Sequence, residues 1–145
     1  MEVYTIGFTK KKAADFFGAL RRAGVKRLLD VRLNNSSQLA GFSKQDDLAF
    51  FLKELCGADY AHEPLLAPTP ELLKDYRHKK IKWPEYEAAF LKLMQVREVE
   101  NKIDPRQFGI PTVLLCSEPK PDRCHRRLVA EYLSAKWGGI SITHL

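Results

Sequence analysis

Residues 114–133, LLCSEPKPDRCHRRLVAEYL, gather two cysteines, a histidine, a glutamate and four basic residues around one short loop. A thiolate at Cys116 or Cys124 is a nucleophile or one half of a redox pair. His125 and Glu118 can move protons. Arg126 and the free N–H groups of a helix start suit an anion. Each type also has a plainer use. His125 shares a helical face with Leu128, Val129 and Tyr132, as a structural histidine would. Cys116 follows three apolar residues and fits a buried thiol.

Other chemistries fit this loop less well. Cys116, Cys124 and His125 could be three zinc donors. Their Cys-x7-Cys-His spacing is not a familiar short-loop pattern, and no fourth ligand is evident. The residues therefore call for no metal and no cofactor. A phosphatase-type Cys-x5-Arg loop fails because Asp122 stands where arginine is needed. Glycine-rich dinucleotide and triphosphate cradles are absent, and so is a Cys-x-x-Cys pair.

The elements that must position these groups follow from periodicity. VYTI (3–6), VKRLLDVR (25–32), ADYAH (58–62), TVLLC (112–116) and ISITHL (140–145) read as strands. Helices are expected over 10–23 with Phe16, Phe17 and Leu20 inward, over 44–55 behind a Ser43 N-cap, and from Pro70 to about Tyr76. Two more are expected from Pro84 to about Asn101 and over 122–136. Asp122 would cap the last, with Cys124 and His125 in its first turn. The turn NNSS (34–37) is too polar for a core.

This β-α-β-α-β-α-α-β-α-β order predicts a single α/β domain over residues 1–145. Its sheet should be mainly parallel, with about five strands and helices on both faces. Ligands of such sheets bind beyond the carboxyl ends of the strands. There lie Gly7 and Thr9, then Asp30 and Arg32, then His62, then Cys116 and Glu118. Asp30 and Arg32 could equally form a structural ion pair.

The chain of 145 residues suits one domain, and its net charge of +6 favours an anionic partner, a small molecule or a nucleic acid. A basic run with flanking aromatics, YRHKKIKW (76–83), suits a nucleic-acid backbone or a solvated turn. No apolar run is long enough for a membrane, and MEVYTIGF lacks a leader pattern. An odd number of cysteines without such a leader reads as reduced thiols in a cytoplasm. Oligomeric state is not legible.

YTIGFT, GVKRLLDVR, YAHEPLLAPTPEL and the Cys-x-Glu…Cys-His-Arg element, in this order, resemble the domain of unknown function 488 family. The resemblance implies a compact α/β fold. It also implies that Gly7, Asp30, Arg32, Cys116, Glu118, Cys124, His125 and Arg126 occupy the family's motif positions. One departure stands out: the family usually shows Gly-His-Ser where this chain has Gly7-Phe8-Thr9. A proton-transfer role for that histidine would have to pass to His62, or the chemistry would differ; Thr9 retains the hydroxyl.

Three functions stay open. One is an enzyme acting on a phosphorylated or nucleotide-like substrate, with Cys116 or Cys124 as nucleophile, Glu118, Asp30 or His125 as acid or base, and Arg32 and Arg126 on the anion. The second is a non-catalytic nucleotide or nucleic-acid module. The third is a thiol redox or sulfur-handling protein.

Overall fold

The computed structural model describes residues 1–35 and 41–145, so Ser36 and Ser37 of the polar turn lie outside the described residues. The strands are β1 (Glu2–Gly7), β2 (Arg27–Asp30), β3 (Asp59–His62), β4 (Thr112–Cys116) and β5 (Ser141–His144). They form one sheet in the order β3-β2-β4-β1-β5, parallel at every pairing. The helices are α1 (Ala13–Ala23), α2 (Gln45–Cys56), α3 (Pro70–Arg77), α4 (Trp83–Arg97), α5 (Val99–Lys102) and α6 (His125–Trp137). The α/β class read from the sequence holds. None of these helices is long and apolar enough to cross a membrane.

Strand order dictates the layers. From β1 the chain steps toward the β3 edge, carrying α1 and α2; after β3 it reverses. Right-handed crossovers then put α1 and α2 on one face and α3 to α6 on the other. The apolar pattern agrees. Leu28, Val113 and Leu115 pack with Phe16, Phe17, Leu20, Leu48 and Leu52. Their alternates Leu29 and Leu114 pack with Phe90, Met94, Leu128 and Val129. β4 is buried along its whole length because it lies between two strands and under helices on both faces.

Three boundaries differ from expectation. Ser43 is not the N-cap of α2; Lys44 is, without a side-chain cap. Ser43 sits in a 3-10 turn (Gly41–Ser43), where its carbonyl accepts from Arg32 Nη2 at 2.8 Å. The helix expected from Pro84 to Asn101 breaks at Glu98, whose φ of 52° is left-handed, and resumes as α5.

The third difference matters most. α6 does not begin under Asp122. The Cys124 N–H closes a tight turn onto the Pro121 carbonyl at 3.2 Å, which delays the helix. Cys124 becomes the extended N-cap residue and His125 the first helical residue.

Candidate functional site

β2 and β4 are neighbours, yet the chain leaves β2 toward α2 on one face and leaves β4 toward α6 on the other. Such a divergence opens a crevice at the carboxyl edge. A pocket of about 170 Å³ lies there, lined by Arg32 from the β2 exit and by Cys116, Glu118, Cys124 and His125 from the β4–α6 loop.

On β4, Cys116 is two residues from Leu114 and so shares its face, on the α6 side. His125 Nε2 lies 2.6 Å from the Val31 carbonyl. A carbonyl only accepts, so Nε2 carries the proton and Nδ1 is left as an acceptor. Nδ1 lies 3.5 Å from Cys116 Sγ. The pair is a thiol facing a base whose tautomer is fixed by the strand beside it, an arrangement that activates nucleophiles.

The two buried thiols are polarised against each other. Cys116 is held below the ordinary thiol value, first by the neighbouring Cys124 side chain. The N–H groups of Ser117 and Glu118 and the charge of Arg126 act in the same sense, and burial opposes them. Cys124 is pushed well above it, by burial and then by Cys116. Of the two, the sulfur at the strand end is the one more easily ionised and the sulfur at the helix start holds its proton more tightly.

Arg126 provides the counter-charge. It is fully buried, and no carboxylate pairs with it among the described residues. Its Nη1 donates to the Glu118 carbonyl and approaches Cys124 Sγ at 3.7 Å; Nε reaches Thr5 Oγ1 at 3.3 Å. A buried cation without an opposite charge is costly, and a thiolate at Cys116 relieves that cost. Gly7 makes room for the arrangement: a Cβ there would lie 1.6 Å from the Glu118 carbonyl oxygen and 2.7 Å from Arg126 Nη1.

Asp30 and Arg32 form the structural ion pair that the sequence allowed. Arg32 donates Nε to Asp30 Oδ1 at 2.8 Å and Nη2 to Oδ2 at 2.7 Å, both side chains being buried. The Tyr60 hydroxyl adds a third contact, to Oδ2 at 2.6 Å. Asp30 therefore holds Arg32 in place and does not line the pocket. Arg32 Nη1 has no partner among the described residues. Tyr60→Phe is expected to lower stability by about 1.5 kcal/mol, seen as an earlier urea midpoint, with Cys116 alkylation unchanged.

The other expected site residues fall outside the pocket. Arg126, fully buried, and Gly7 do not line it. His62 Nε2 meets the Arg32 carbonyl at 2.8 Å, which occupies it structurally. Thr9 ties its backbone N–H to the Ser117 carbonyl at 3.1 Å. Phe8 is buried on the α1–α2 side with the Arg32 guanidinium 5.2 Å from its ring centroid, and its phenyl ring has no proton to exchange.

Sequence reading did not anticipate one wall: Tyr76, Trp83 and Tyr86, with Arg77 beside them. The aromatics flanking the basic run were the available signal. Of that run only Arg77 lines the pocket; His78, Lys79, Lys80 and Lys82 point to solvent.

Cys116 Sγ, Cys124 Sγ and a His125 ring nitrogen lie within 4.8 Å of one another, close enough to hold a soft metal ion. No fourth histidine, cysteine or carboxylate joins that group among the described residues. The same proximity permits a thiol to attack its neighbour under oxidation.

No match emerged among curated proteins or among solved structures. A family model does match, over residues 12–133, and it spans the β2 exit, the whole Cys-x-Glu…Cys-His-Arg element and most of α6. On that span the chain belongs to the family described as domain of unknown function DUF488.

Proposed function

We propose that the pocket binds a small anion and that Cys116 attacks it, making the protein a cysteine-dependent group-transfer enzyme or hydrolase. The observation that carries this reading is the 3.5 Å approach of His125 Nδ1 to Cys116 Sγ, with Nε2 committed to the Val31 carbonyl. A closed metal centre would need a fourth ligand, and no histidine, cysteine or carboxylate beyond Cys116, Cys124 and His125 joins that group among the described residues. Arg32, Arg77 and Arg123 face the pocket, and the only carboxylate among its lining residues is Glu118. Free thiols at such a site suit a reducing compartment such as the cytoplasm.

The chemistry balances simply. The Cys116 proton passes to His125 Nδ1 and the sulfur bonds to the electrophilic atom of the anion. The bond to the leaving group breaks, and that group departs with the electron pair and takes the proton from Nδ1. Water then attacks the same atom, gives a proton to Nδ1 and cleaves the bond to sulfur. The proton returns from Nδ1 to sulfur, which closes the cycle. Glu118, exposed at the lip, is the second group placed to exchange protons with the leaving group.

Iodoacetate and iodoacetamide differ mainly in charge and test the anion reading directly. Relative to Cys56, Cys116 is expected to favour the anionic reagent by about tenfold, a preference worth roughly 1.4 kcal/mol. Arg123→Gln, at the exposed rim, should reduce that preference about two- to threefold. Cys116→Ser should abolish the fast adduct and leave labelling of Cys56 intact. A Cys116 that prefers the neutral reagent would end the proposal.

A second reading rests on the paired sulfurs. Mild oxidant should then give a Cys116–Cys124 bridge by mass spectrometry, and labelling at both positions should fall together. Oxidation to a sulfenic or sulfinic acid at Cys116 alone would exclude the bridge.

A further inference from the structure

The Tyr86 side chain is 2% exposed and lines the pocket, yet its hydroxyl makes no hydrogen bond to any described residue. The charges that act on it are those of Cys116, Cys124, Tyr76 and Arg77, so it sits on the side of the reactive sulfurs. The ring is buried while the unpaired hydroxyl is not itself enclosed, so it opens to the pocket. It is aimed where a ligand would be.

Around it stands an aromatic wall. Tyr76 and Tyr86 have ring centroids 4.9 Å apart, and Trp83 and Tyr86 lie 5.3 Å apart with planes inclined at only 23°. The series continues inward through Phe90, 6.1 Å from Tyr86, to the His125 ring, 5.4 Å further on. The spacing 83, 86, 90 puts these rings on one face of α4. Its inner members are buried core; Tyr76 and Trp83, half-buried, present ring surface at the pocket wall. Cations occur beside the rings, at Arg77 on the wall and Arg32 opposite.

Resting on the anion reading above, we infer that the substrate is an anion carried on a planar aromatic ring. The ring lies against Trp83 and Tyr76. The charged group lies over Cys116, taking a hydrogen bond from the Tyr86 hydroxyl and facing Arg32 Nη1. Aryl and nucleobase-bearing phosphates share this chemistry.

Calorimetric titration of the intact protein with phenyl phosphate, methyl phosphate and inorganic phosphate tests this. Phenyl phosphate is expected to bind at least tenfold more tightly than methyl phosphate, as stacking on an aromatic side chain provides. Trp83→Leu or Tyr76→Leu should erase the difference and leave inorganic phosphate affinity within about twofold. Tyr86→Phe, which keeps the ring, should weaken all three ligands alike by about tenfold. Equal binding of phenyl and methyl phosphate to the unaltered protein overturns the ring proposal and leaves the anion reading standing. If no phosphate binds, the ring proposal falls, and the charge preference of Cys116 toward iodoacetate decides the anion reading separately. AMP against ribose 5-phosphate then distinguishes a nucleobase from a simple aryl group.

Discussion

Arg126→Met is expected to slow alkylation of Cys116 at neutral pH by roughly ten- to a hundredfold. Arg126 is the buried cation beside the two sulfurs, and no carboxylate among the described residues shares its charge. Removing it withdraws one of the causes that hold Cys116 below the ordinary thiol value, while burial, which acts the other way, remains. The thiolate fraction must fall at every pH below the new midpoint. The rate-against-pH curve of Cys116 should therefore move to higher pH without losing its plateau, a signature that loosened packing alone would not give. Arg126→Lys keeps a charge but loses the fork that grips the Glu118 carbonyl and Thr5, and it should recover part of the rate. Cys56 is the internal control, since its thiol is raised first by burial and Arg126 plays no part in its surroundings.

Gly7→Ala is expected to cost about 4 kcal/mol or more, read as a large fall in the urea midpoint at an unchanged slope. The added methyl would sit 1.6 Å from the Glu118 carbonyl oxygen, which is backbone and cannot rotate away. Either β1 parts from β4 at the Gly7–Cys116 pairing or the loop that begins at Cys116 shifts outward. The second course would also pull the Glu118 carbonyl off Arg126. A variant that survives folding should thus show slowed Cys116 labelling as well. A methyl accommodated with no loss of stability would mean that the loop does not pack on β1 as described.

The fold was legible because its signals are local. Leu28 with Leu29 and the run of β4 state burial on both faces, and the 16, 17, 20 pattern states a helix. Strand order was not legible, because nothing in β2 or β4 names its neighbour; it depends on which crossover buries the most surface. The polar strand ends named Arg32, Cys116 and Glu118, the expected helix start added Cys124 and His125, and all five line one pocket. Asp30, Thr9 and His62 share that edge in sequence, but a strand end has two faces and backbone carbonyls of its own. Tyr60 and Arg32 claim Asp30, and the Arg32 carbonyl claims His62. The start of α6 was misjudged by two residues. Asp122 is a good cap by type, yet the turn from Pro121 to Cys124 takes the N–H that would begin the helix. The aromatic wall was hidden for another reason: helical spacing cannot say whether a half-buried Trp83 borders a core or a cavity.

The central claim is that Cys116 is an easily ionised thiol in a cationic pocket, and its pH-dependent alkylation is the most direct test. Iodoacetamide labelling of the unaltered protein, followed by peptide mass spectrometry across pH 5 to 10, gives one rate profile for each cysteine. Cys116 should reach half its maximal rate at a lower pH than Cys56, and Cys124 should lag behind both, in the order that the directions of their shifts require. A Cys116 midpoint at or above that of Cys56 would contradict the account.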